Sequence, residues 1–69
     1  MSALDRQLLA AHAQDNTTAL IGLYTEAGEQ APEEVASAFF LTHAFIFALE
    51  AGDARAADLH TRLKAMGRA

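Results

Sequence analysis

At 69 residues, with a formal charge of -4 and no cysteine, the chain is bounded to one small domain that has neither disulfides nor cysteine-ligated zinc. A single core of that size barely offsets chain entropy, so oligomerisation is the remaining staple. The Lys and Arg residues form no cluster, which argues against nucleic acid and against an anionic membrane, because both recruit positive charge. The opening MSALDRQ has no basic stretch ahead of an apolar core, so it is not a signal peptide, and the expected setting is cytoplasmic.

Four helices are predicted in chain order. Ser2 with Asp5 forms a capping-box start, and Leu4, Leu8 and Ala11 recur at helical spacing, giving a first helix over 3–13. Asp15 and Asn16 break and recap the chain. A second helix follows over 17–27, with Leu20, Leu23, Tyr24 and Ala27 on one face and Gly28 as its C-terminal stop. Pro32 at a first helical position, then Glu33 and Glu34, opens a long third helix that Gly52 closes. Asp53 caps a fourth, where Ala56, Leu59, Leu63 and Met66 share a face, Asp58 and Arg62 are expected to pair at i, i+4 on the other, and Gly67 ends the run. Gly22 is out of place in mid-helix: either the helix frays there or another backbone comes close. The expected architecture is a single all-α domain over 1–69, two antiparallel hairpins around a long central third helix.

That third helix carries VASAFFLTHAFIFAL from Val35 to Leu49, including all four phenylalanines. At about 100° per residue, Val35, Phe39, Thr42, Ile46 and Leu49 make one stripe. Phe40, Ala44 and Phe47 make a second, and Ala38, Leu41, Phe45 and Ala48 a third. Interrupted by Thr42 and His43, the run is short for a bilayer span, and a helix apolar nearly all round is either central or covered by another subunit. Three short neighbours cover two stripes, which predicts a homodimer through the remaining one, expected at Phe40, Ala44 and Phe47. Phe39 and Phe45 complete the candidate interface anchors.

Charge is uneven along the chain. Residues 1–34 hold Asp5, Asp15, Glu26, Glu29, Glu33 and Glu34 against Arg6, whereas residues 35–69 hold Glu50, Asp53 and Asp58 against Arg55, Arg62, Lys64 and Arg68. Helix-dipole complementarity explains much of this, with Glu33 and Glu34 opening one helix and Lys64 and Arg68 near the end of another; an antiparallel dimer in which unlike halves meet would also use it.

Superposing Asp15 on Asp53 aligns LAAHAQDNTTALI with FALEAGDARAADL, a 38-residue period in which an alanine-rich helix ends, an aspartate caps and a second helix begins. The C-terminal half, with Ala44, Ala48, Gly52, Asp53, Ala57 and Leu63, resembles a tetratricopeptide repeat. The N-terminal half, with Asp15, Ala19, Tyr24, Ala27 and Pro32, is similar in outline. The resemblance implies stacked antiparallel hairpins, scaffolding rather than catalysis, and a protein or peptide partner. Two repeats fall short of the roughly three that stabilise such arrays, and pairing of two chains would supply the rest.

Candidate chemistry is sparse. His43 lies in the only polar wedge of the third helix with Glu50 two turns on, between Phe39 and Phe47, and His12 lies on the inner face of the first helix. Each is expected to be a hydrogen-bonded structural histidine. Neither Glu-x-x-His nor His-x-x-x-His occurs, and there is no GxGxxG, Walker-type lysine or HExxH. The function expected is a small intracellular interaction or structural module that self-associates, is not an enzyme, and uses no metal or cofactor. The alternative is a small-molecule- or metal-binding helical protein with a pocket lined by His12, Tyr24, His43 and Glu50.

Overall fold

The computed structural model describes residues 2–69 and is all helical, as expected, with four helices in order: α1 (Ala3–Ala13), α2 (Thr17–Gln30), α3 (Glu34–Ala51) and α4 (Arg55–Ala65). Local chemistry accounts for most of the boundaries. Ser2 accepts from the Asp5 amide while Asp5 accepts from the Ser2 amide, closing the capping box of α1. Asp15 turns the chain at φ 50, a left-handed conformation that a short polar side chain tolerates, and Asn16 then accepts from the Ala19 amide to start α2. Gly52 at φ 63 ends α3 and Gly67 at φ 74 follows α4. The carboxylate of Asp53 accepts from the Arg55 amide at 2.9 Å and pairs with the Arg55 guanidinium. That guanidinium holds the Asp53 carboxyl down at about 2, so it stays charged except in strong acid, but Ala54 and not Asp53 is the N-cap of α4, with no side-chain cap bond.

Two other boundaries differ from expectation. Helix α2 does not stop at Gly28 but runs to Gln30, with Gly28 buried inside it. A Cβ there would stand 2.8 Å from the Leu41 side chain and 3.2 Å from the Ser37 carbonyl, so the glycine is a contact point between α2 and α3 and not a terminator. The true stop is Ala31, extended at φ -65 and ψ 129, as the residue before a proline is required to be. Pro32 therefore lies in the connection, and α3 begins two residues later with Glu33 as its N-cap. Gly22 is neither frayed nor crowded: its position in α2 is open, with only the Arg55 guanidinium near.

Each helix packs on its neighbour in sequence, α1 on α2, α2 on α3 and α3 on α4, and the chain is flat, extending 31 × 29 × 11 Å. The core lies where α2, α3 and α4 converge. Ile21, Leu41, Ala44, Ala48, Leu59 and Leu63 are buried there, and Tyr24, Phe45, Phe47, Ala56 and Met66 pack around them. Ile21 is completely enclosed, although the face predicted for this helix leaves it out. Arg62 reaches past Asp58 to Glu29 of α2 at 3.1 Å, and Arg55 donates to the Thr18 carbonyl. Two arginine arms thus tie α4 to α2. Every buried side chain among the described residues is apolar.

By length and composition alone, α3 could cross a membrane, with 18 residues at a mean hydropathy of 1.4. One side of it is nonetheless enclosed by α2 and α4, where Ala38, Leu41, Ala44 and Ala48 are buried.

Candidate functional site

Three of the four pocket candidates meet. His12 from α1, Tyr24 from α2 and His43 from α3 gather with Phe40 and Phe47 into one aromatic cluster. The His12 Nε2 and Tyr24 hydroxyl lie 2.8 Å apart. Tyr24 stacks on His43 at a centroid separation of 5.1 Å and on Phe47 at 5.8 Å, and His12 meets Phe47 edge-on at 6.1 Å. The His43 Nδ1 is 2.9 Å from the Phe39 carbonyl; since a carbonyl only accepts, Nδ1 carries the proton. Glu50 is exposed and stands outside this cluster.

The cluster is filled by its own rings and acts as an adhesive between α1, α2 and α3, each ring pair contributing roughly 0.5 to 1.5 kcal/mol beyond its area. Among the described residues, no three His, Asp or Glu side chains gather as metal ligands. Tyr24→Phe should keep the stacking and lose only the hydrogen bond to His12, a cost of about 0.5 to 1 kcal/mol in urea unfolding. A larger loss would show that the hydroxyl, and not the ring, holds the cluster together.

Open space lies elsewhere, in a groove of about 610 Å³ between α1 and α2. Gln7, Gln14, Asn16, Thr18, Glu26 and Arg55 supply its polar lining, with Ala10, Ala19 and Gly22 among its small residues. None of His12, Tyr24, His43 or Glu50 borders it. From the sequence, Gly22 predicts fraying or a close backbone, whereas a residue without Cβ in mid-helix also leaves a hollow when no neighbour fills the space.

The predicted contact stripe moves. Ala44 is completely buried, so it cannot touch a partner. Phe40 and Phe47 are half-buried against Tyr24, and Phe45 is half-buried beside His60 at 5.6 Å. Of the five candidate anchors only Phe39 is largely exposed, at 58%. It belongs to the first stripe, where Val35 is 67%, Ile46 49% and Leu49 57% exposed. The reason is steric: α2 and α4 converge on the side of α3 that carries the small residues Ala38, Ala44 and Ala48, where backbones can come close, and the opposite side is left bare. Leu9 on α1, 57% exposed, is a separate single residue.

Compared with protein-family models, curated proteins and solved structures, this chain has no match.

Proposed function

We propose that the chain is a small interaction or structural module of the cytoplasm that self-associates through the outer face of α3 and carries out no catalysis of its own. One observation carries this. Val35, Phe39, Ile46 and Leu49 stand half to two-thirds exposed in a single line on an 18-residue helix, and monomeric proteins rarely leave such a continuous apolar line uncovered. Isolated exposed leucines such as Leu9 need no partner, whereas a line of four does. The hairpin order and the resemblance of the C-terminal half to a tetratricopeptide repeat support a scaffold of stacked hairpins completed by a second chain.

Covering the exposed part of each of these side chains is worth roughly 1 kcal/mol, hence roughly 8 kcal/mol over two chains before the entropic cost of association. The dimer expected is therefore concentration-dependent. Light scattering from micromolar to near-millimolar protein should show mass rising from monomer to dimer. Ile46→Glu should remain monomeric over the whole range with an unchanged helical spectrum, because position 46 already faces water in the monomer. A wild type that stays monomeric throughout, or an Ile46→Glu variant of the same mass as wild type, would remove the proposal. Phe47→Glu is the wrong probe, since it would break the stack on Tyr24 within one chain.

A further inference from the structure

The line on α3, exposed at Val35, Phe39, Ile46 and Leu49 and half-buried at Thr42, has a spacing that goes beyond hydrophobicity. Val35, Phe39, Thr42, Ile46 and Leu49 are separated by four, three, four and three residues, the 3.5-residue average of a coiled-coil seam. A straight helix drifts only about 20° per heptad against such a repeat, so over two heptads the line stays on one side. The occupant that this period fits is another helix.

The line is also nearly its own reverse. Counted outward from Thr42, Phe39 and Val35 lie three and seven residues toward the N-terminus, and Ile46 and Leu49 lie four and seven toward the C-terminus. We infer that two copies pair through α3 in antiparallel orientation about a two-fold axis at Thr42, which rests on the self-association proposed above. Val35 then faces Leu49 of the second copy, Phe39 faces its Ile46, and Thr42 faces Thr42. A two-fold contact of this kind needs each patch to be self-complementary, and this one is to within a single residue.

Thr42 is compatible with either orientation, and the helix dipoles and ring packing favour the antiparallel one. Thr42 donates its hydroxyl to the Ala38 carbonyl of its own helix at 2.7 Å, so the seam centre brings in no polar group that lacks a partner. Antiparallel helices also oppose their dipoles and set each Phe39 ring against a smaller Ile46, whereas a parallel pair aligns the dipoles and stacks Phe39 on Phe39. Glu34 and Glu50 lie on opposite flanks of the line, 16 positions or roughly 160° apart around the helix. Antiparallel pairing therefore does not press these two carboxylates together.

The chain has no cysteine, so an introduced thiol reports alone. Val35→Cys and Leu49→Cys proteins, each separately and then mixed in equal amounts, are treated with a short bis-maleimide at a concentration where light scattering shows dimer. Antiparallel pairing predicts that the mixture yields several-fold more covalent dimer than either variant alone. Equal or greater linking of Val35→Cys by itself would establish a parallel pair and overturn the inference. A light-scattering dimer with no linking in any combination would also overturn this geometry while leaving self-association intact. A chain that never dimerises would remove both.

Discussion

Ile21→Ala should lower the free energy of unfolding by about 2 to 5 kcal/mol, the range for deleting most of a buried aliphatic side chain and leaving a cavity. Ile21 has no exposed surface and sits among Leu41, Ala44, Ala48, Leu59 and Leu63, where α2, α3 and α4 converge. At roughly 0.05 to 0.15 kcal/mol per residue, a chain of this size has only about 3 to 10 kcal/mol to lose, so the variant should forfeit a large share of its stability. Leu9→Ala is the matched control. Its side chain is 57% exposed on α1, and its loss should stay within about 0.5 kcal/mol. Urea unfolding of both at one fixed protein concentration checks this, the concentration being held because dimerisation adds to apparent stability. Equal losses at the two positions would mean that the core is not where α2, α3 and α4 meet.

The second large effect is a pair of glycine substitutions with opposite signs. Gly28→Ala should destabilise by about 1 to 3 kcal/mol, the usual cost of overpacking a tight core. The new methyl would meet Leu41 Cγ and Cδ2 at 2.8 Å and the Ser37 carbonyl at 3.2 Å, and Leu41 is itself buried, so it has nowhere to swing. Gly22→Ala should instead stabilise by about 0.5 to 1 kcal/mol, since the only neighbour of its new methyl is the Arg55 guanidinium at an ordinary 3.6 Å and the chain loses freedom in its unfolded state. Thermal melts of the two single variants would decide the matter. A melting temperature that rises at position 28 would contradict the packing of α2 on α3, and one that falls at 22 would contradict the open space beside Arg55.

Local chemistry explains how much of this fold could be read in advance. The capping box at Ser2, the Asn16 cap and the left-handed glycines at 52 and 67 act within a few residues of themselves, so residue type and spacing were enough to place them. Gly28 misled for the complementary reason. A glycine at the end of an apolar run signals a helix stop only when nothing distant needs the space, and here Leu41, thirteen residues on, occupies it. Pro32, by contrast, acts on its immediate neighbour, and that is why Ala31 is the true end of α2.

The surface of α3 divides in the same way. From the sequence alone came three apolar stripes on one helix, and hence the conclusion that three short partners leave part of it uncovered. The sequence could not decide which stripe is bare, because a helix apolar all round has no preferred inward direction. Tertiary packing decided it: close approach of α2 and α4 favours the alanine-lined side, and Tyr24 then takes Phe40 and Phe47 as stacking partners and leaves Val35, Phe39, Ile46 and Leu49 outside. Helix identity and caps follow from interactions a few residues apart, whereas the choice between equally apolar faces depends on which backbones can approach, and only the folded chain supplies that.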